Sequence, residues 1–304
     1  MGHASLSASI VSMCSLASVH PRLFGYKEWT RWSTRPGAHE EYIVLKAVVF
    51  DMDDTLLSIN LSAFLAVYMM DEARLLADIA RTNPFSAFAT FGSALLNLTN
   101  NARDDDDDRT NRAYFNDTVE RRSGVPLDDP VIADAFTYYE REVLPRRNDS
   151  IIAAHPRSGA HEAVETLLDR GLRIALLTNP SFSRACIECR MGWGDMLDMP
   201  FELVTTMENS TRCKPDPRYY LESLDTLDLA PAEVLMVGND PKRDFPTPDC
   251  GIQTAYVGSG KPVRSTWCGS MAEFAEHFDE IEELFYERQE RGLLDIVQDT
   301  SREK

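Results

Sequence analysis

The clearest pattern in the chain begins at Tyr42-Ile-Val-Leu-Lys-Ala-Val-Val-Phe50, a short apolar run rich in β-branched residues. Such a run predicts a strand buried on both faces, and it leads directly into Asp51-Met-Asp-Asp-Thr-Leu56. From about residue 59 the hydrophobic period becomes helical. Leu61, Phe64, Leu65, Tyr68 and Met69 share one face, as do Phe85, Phe88, Phe91, Leu95 and Leu96 in the next segment. Further helices are expected over 112–122 and 129–144, the latter holding Ile132, Phe136 and Tyr139. No strand-like run interrupts residues 59–148.

Alternation of strand and helix returns after Pro156. A helix over Gly159–Arg170 is stopped by Gly171, and the strand Leu172–Leu177 comes next. Beyond it lie a helix at 182–191, a strand at Phe201–Thr205, a helix over Pro217–Leu227 and the strand Val234–Val237. Gln253–Val257 is the last strand expected, and 271–292 reads as a surface helix rich in acids. Repeated β–α alternation predicts an α/β fold, a doubly wound parallel sheet of Rossmann-like type, with helices on both faces. The expected organisation has four parts: a poorly ordered extension over 1–41, a core over 42–58 and 149–265, an inserted all-helical domain over 59–148, and a C-terminal helical segment over 266–304.

Composition narrows the classes. The 304 residues are 43% hydrophobic and 26% charged, enough for a sizeable core. No stretch approaches the ~20 continuous apolar residues of a membrane-spanning helix, so no membrane association is expected. A formal charge of −18 repels polyphosphate backbones and speaks against nucleic acid as a partner. It also requires that an anionic substrate be drawn in by a local positive group, a metal or a well-placed Lys. Residues 1–40 differ from the rest, being rich in Ser and Ala, with Arg22, Lys27, Arg31 and Arg35 against Glu28 and Glu40. They lack the basic start and unbroken apolar run of a secretory signal. The scattered cysteines read as reduced thiols of a cytoplasmic protein. Cys186 and Cys189 have CxxC spacing without a second pair or a nearby His, and read as an ordinary helical face. The acidic run Asp104–Asp108 reads as a solvated loop, and His155 and His161 as surface or loop residues.

In open parallel sheets ligands bind beyond the carboxyl ends of the strands. Asp51 and Asp53 follow the first strand, Thr178 and Asn179 the next, and Asn239, Asp240 and Asp244 a third, while Lys214 precedes a helix. Two carboxylates at i, i+2 can divide the labour, one attacking and binding a metal, the other moving protons. A further acidic cluster suits a hard divalent cation such as Mg²⁺, and a Lys with a Thr hydroxyl completes a phosphoryl cradle.

Taken together, Asp51-x-Asp53-x-Thr55, the strand ending in Thr178-Asn179, Lys214-Pro215-Asp216 and Gly238-Asn-Asp-x-x-x-Asp244 resemble the four ordered motifs of the haloacid dehalogenase-like (HAD) hydrolases. The likeness covers about 44–60 and 150–260, with the helical insertion where that superfamily carries its cap. The resemblance implies Asp51 as a nucleophile that forms an aspartyl-phosphate, and Asp53 as the acid for the leaving group and then the base for water. It makes Thr178, Asn179 and Lys214 substrate-binding residues. It implies Mg²⁺ held by Asp51, the Asp53 carbonyl and the fourth motif. The second aspartate favours phosphate ester chemistry, because dehalogenating members lack it. The fourth motif departs from the usual Gly-Asp by reading Gly238-Asn239-Asp240, and Pro246 and Pro248 interrupt the helix usual after it. Asn239 occupies the usual ligand position; Asp240 is chemically the stronger ligand and the expected one. The implied activity is a Mg²⁺-dependent phosphatase acting on a small phosphorylated metabolite. A phosphomutase shares every core motif, and a non-catalytic binding protein on this fold is the reading from another class.

Overall fold

The computed structural model describes residues 44–258 and 265–290; the expected N-terminal extension lies outside them. Ala47–Phe50 forms β1, with all four side chains buried. Leu57–Ser58 (β2) and His155–Pro156 (β3) make a separate antiparallel pair. Arg173–Leu176 forms β4, Val234–Gly238 β5, Gln253–Val257 β6 and Trp267–Gly269 β7. The main sheet has the order β4-β1-β5-β6-β7 and every pair in it is parallel.

Side-chain alternation along these strands builds two cores, one on each face. Val48, Phe50, Ile174, Leu176, Leu235 and Val237 point one way. There they meet Ala160–Asp169 (α5), Arg184–Trp193 (α6), Met271–Glu276 (α8) and Phe278–Glu290 (α9). Ala47, Val49, Ala175, Leu177, Val234 and Met236 point the other way, onto Tyr219, Tyr220 and Leu224 of Pro217–Thr226 (α7). The expected doubly wound α/β class is the one observed.

Residues 59–148 are helical, as their period predicts: Leu61–Ala80 (α1), Pro84–Thr99 (α2), Asn111–Ser123 (α3) and Pro130–Tyr138 (α4), the last running on through a π turn at Tyr139–Val143. Their starts are written locally. Asn60, Asn83, Thr110 and Asp129 cap free N–H groups, with Pro84 and Pro130 in the first turn. Leu76, Phe91, Ala94, Leu98, Phe115 and Val119 give these helices a core of their own, completed by Met207 and Cys213 from loops beside the sheet. Both ends of the insertion pass through the β2–β3 pair, where Arg157 donates its N–H to Leu56 and Asn60 to Ile152, each at 2.9 Å. Among the described residues no helix is long and apolar enough to cross a membrane.

Three expectations need correction. Phe201–Thr205 is extended and bonded along β4, but it forms only a single bridge, Val204 to Leu176. Gln253–Val257 does not close the series, because β7 adds a fifth strand inside the segment assigned to C-terminal helices. With three residues, Trp-Cys-Gly, β7 has no periodic signature to read. The single surface helix over 271–292 is two helices meeting at His277. Met271, Phe274, Phe278, Ile281 and Phe285 form a buried stripe that the many acids on the opposite side obscure.

Candidate active site

The carboxyl ends of β1, β4 and β5 converge on one place. Asp51 continues β1, its N–H donating to Val237 at 2.9 Å. The chain then turns sharply, with the N–H groups of Thr55, Leu56 and Leu57 all reaching the Met52 carbonyl. Asp54 takes φ of 58°, a left-handed conformation that Asp tolerates better than most residues. This turn leaves Asp53 near enough to Asp51 for their charges to interact.

Asp51 is buried, and its Oδ1 accepts a hydrogen bond from Lys214 Nζ at 2.7 Å. The same ammonium donates to Asp244 Oδ1 at 2.8 Å. Burial raises the Asp51 pKa and Lys214 opposes it, while Asp53 adds to the rise. Burial and the Asp51 charge push Asp244 up to about 6, against the pull of Lys214. For Lys214, burial disfavours the charged form, but Asp244 and Asp51 outweigh it and the pKa is raised. One ammonium thus faces two carboxylates in a buried setting, leaving a negative charge that a cation would offset.

Asp244 can approach so closely because position 238 is glycine: a Cβ there would overlap the Asp244 side chain. Asp244 Oδ2 in turn accepts the Asp240 N–H at 2.7 Å. The Asp240 carboxylate turns away, accepting the Lys242 N–H at 3.0 Å, and is 45% exposed. This short-range turn is a normal preference of Asp. Asn239 lies on the Asp51 side instead: the Thr55 hydroxyl is 3.2 Å from its Oδ1 and 3.4 Å from Asp51 Oδ2. Of the two residues, Asn239 lies on the Asp51 side through Thr55, and the Asp240 carboxylate lies aside.

Thr178 is buried at the end of β4, its carbonyl held by the hydroxyls of Thr205 at 2.7 Å and Tyr219 at 2.8 Å. Asn179 follows, and its Oδ1 is buried without a hydrogen-bond partner. Asp53 is held by a residue that the sequence reading missed. Arg190 of α6 is fully buried and its Nη1 donates to Asp53 Oδ2 at 2.5 Å. Its guanidinium lies over the rings of Phe182 and Phe64, 4.5 and 5.1 Å from their centres. Asp53 Oδ1 is left buried and unpartnered. A signal existed: Arg190 falls four residues after Cys186 and three after Ile187, on the apolar stripe of its helix.

Comparison with known proteins bears on this arrangement. The haloacid dehalogenase-like hydrolase family matches residues 45–247, about two thirds of the chain. The chain belongs to the haloacid dehalogenase-like hydrolases. Pyrophosphatase PpaX of Halalkalibacterium halodurans is 22% identical over 49% of this chain and 72% of that protein. A phosphoserine phosphatase of Thermus thermophilus is 33% identical over 48% of this chain and 53% of its own length. Among solved structures, an HAD phosphatase from Thermococcus onnurineus is 17% identical with a TM-score of 0.47, covering 77% of this chain and 97% of that one. As a member of that family the chain is a hydrolase.

Proposed function

We propose that this HAD hydrolase is a Mg²⁺-dependent phosphatase that cleaves a small phosphorylated metabolite through an aspartyl-phosphate on Asp51. The observation that carries the reading is the buried Asp51–Lys214 pair at a strand end, with Asp53 two residues on and held by Arg190. In the first step an Asp51 carboxylate oxygen attacks phosphorus, the ester P–O bond breaks, and Asp53 gives its proton to the departing alkoxide. In the second, Asp53 takes a proton from water, the water oxygen attacks phosphorus, and the acyl-phosphate bond breaks to restore Asp51 and release phosphate. Arg190 occupies Asp53 Oδ2, so Oδ1 is the oxygen left to carry the proton. Lys214 and Thr178 neutralise and orient the phosphoryl oxygens, and Asn179 contributes its amide.

The oxygens at the site suit Mg²⁺. Among the described residues no three His, Cys, Asp or Glu side chains cluster as a metal cage. Mg²⁺ does not require one, since it keeps several waters and takes one or two carboxylates plus substrate phosphate. The Asp51 carboxylate, the Asp53 carbonyl and the Asn239 amide oxygen would hold it, and the unbalanced charge of Asp51, Asp244 and Lys214 favours it. When bound, it would act as a Lewis acid that neutralises phosphoryl charge. Residues 59–148 would form a cap over the strand ends and supply substrate selectivity.

Incubating the purified protein with phosphorylated metabolites and Mg²⁺, and measuring both released phosphate and isomerised ester, tests the reading. Stoichiometric phosphate without isomerised ester is expected. Isomerisation without net phosphate release would replace the reading by a phosphomutase.

A further inference from the structure

A cavity of about 350 Å³ lies between the inserted helices and the loops beyond the strand ends. Ser181, three residues after Thr178, forms part of its wall, together with Met207 and Glu208 from the loop beyond Thr205. Phe91, Leu95, Phe115, Leu127 and Phe136 give it apolar sides. It is at the small end of ligand pockets and sits where α/β sheets bind ligands.

Its polar groups are unbalanced in sign. Arg112 is committed to Glu208, both Nε and Nη2 donating to Oε1 at 3.1 and 2.8 Å. Glu72 and Glu140 remain, both buried, with Asp128 also in the wall. Glu140 Oε1 accepts the Tyr68 hydroxyl at 2.8 Å, but Glu72 Oε1 is buried with no partner, and so is Asn116 Oδ1. Both unpartnered atoms are acceptors, and both belong to residues lining the cavity. A buried acceptor left without a donor costs free energy, and a carboxylate costs more. Burial, and the proximity of Glu140, push Glu72 well above its usual range. The complementary ligand group brings N–H donors and a positive charge, on a short apolar body that the aromatic walls accept.

We propose that this cavity binds the ammonium end of the substrate, so that the enzyme's substrates are phosphate monoesters of amine-bearing alcohols. The inference rests on the phosphatase reading for the phosphate end alone. A carboxylate next to the amine would meet the same acids and be repelled, so amino alcohol phosphates are preferred to amino acid phosphates.

Two esters that differ only in the amine, 4-aminobutyl phosphate and butyl phosphate, test this. For the unmodified enzyme kcat/KM is expected to favour the amine by about tenfold or more. In Glu72→Gln that ratio falls toward one, and because it is taken within one protein, partial loss of folded material cancels. A ratio within twofold in the unmodified enzyme, or one that Glu72→Gln leaves unchanged, overturns the proposal. Calorimetric binding of the two esters to Asp51→Asn separates this inference from the phosphatase reading. Equal binding and equal hydrolysis refute the ammonium site while leaving the phosphatase. Preferential binding of the amine by Asp51→Asn, together with no hydrolysis of either ester by the unmodified enzyme, supports the site and refutes the phosphatase.

Discussion

The two oxygens of Asp53 have different surroundings, and its proposed task derives from that difference. Oδ2 is fixed by Arg190 and Oδ1 is unpartnered, so the carboxyl is oriented while one oxygen stays available for a proton. Arg190 acts as a positioning residue. Arg190→Met is therefore expected to slow hydrolysis of an alkyl phosphate by about 10–10²-fold, less than the ~10²–10⁴-fold that full loss of general acid–base help would cost. It should slow p-nitrophenyl phosphate less, since that leaving group needs little protonation. Equal losses on both esters, with an unchanged pH–rate profile, would contradict the role. The convergence of Asp51, Thr178 and Lys214 was legible because their motifs are short and sit at strand ends or, for Lys214, just before a helix. Arg190 was not, since an arginine in a helix reads as solvated until its stripe position is taken seriously. In the fourth motif, charge and placement point to different residues. Charge alone favours Asp240, but the backbone turns its carboxylate onto Lys242. Asn239→Ala is accordingly expected to raise the Mg²⁺ concentration needed for half activity more than Asp240→Ala does. A titration giving the opposite order would return the ligand to Asp240.

At the level of elements, the buried strands and the helical insertion were plain from period alone, whereas β2, β3 and β7 were too short to show one. The acid pair of the cavity hid in the same way as Arg190. Phe64, Tyr68, Glu72 and Leu76 are spaced by four on α1, so Glu72 interrupts an apolar stripe, and Glu140 sits in the π turn after α4. Such turns recur at functional sites. The pair carries a pH signature. Burial raises Glu72 well above its ordinary 4.5, Glu140 and Asp71 adding to the rise and Arg112 opposing it, and the Arg112–Glu208 pair and Asp128 complete the charged surroundings. Above pH ~4.5 the unfolded chain has released a proton that folded Glu72 still holds, so stability falls as pH rises through that window. The slope is at most ~1.4 kcal/mol per pH unit for one group, and it vanishes above the folded pKa. Asp51, Asp244 and Glu140 tilt stability the same way, so the informative quantity is a difference. Urea midpoints of Glu72→Gln are expected to fall less steeply between pH 5 and 7 than those of the unmodified protein. Parallel curves would show that Glu72 is not held protonated in the unliganded protein, the state from which a bound ammonium would release the proton.

The whole molecule carries −18, yet the groups gathered at the strand ends include two buried cations, Lys214 and Arg190. Asp51, Asp53 and Asp244 outnumber them, so attraction for an anionic substrate would rest on a bound cation, and an amine on that substrate would soften the long-range repulsion. The insertion is tied to the sheet end by more than apolar contact. Arg212 is buried and donates to the carbonyls of Asp104, Asp105 and Asp107, while Asn111 reaches the carbonyls of Pro180 and Arg212. The acidic run expected as a solvated loop is therefore pinned by its backbone; Arg109 binds Asp107 and lowers its carboxyl to about 2. All of this architecture serves one proposed event, the transfer of a phosphoryl group to Asp51. The most direct test compares kcat of Asp51→Asn with that of the unmodified protein on p-nitrophenyl phosphate with Mg²⁺, with circular dichroism to establish the fold. A loss of about 10³-fold or more in a folded variant is predicted, since the nucleophile has no substitute. Turnover within about tenfold of the unmodified enzyme would contradict the aspartyl-phosphate mechanism.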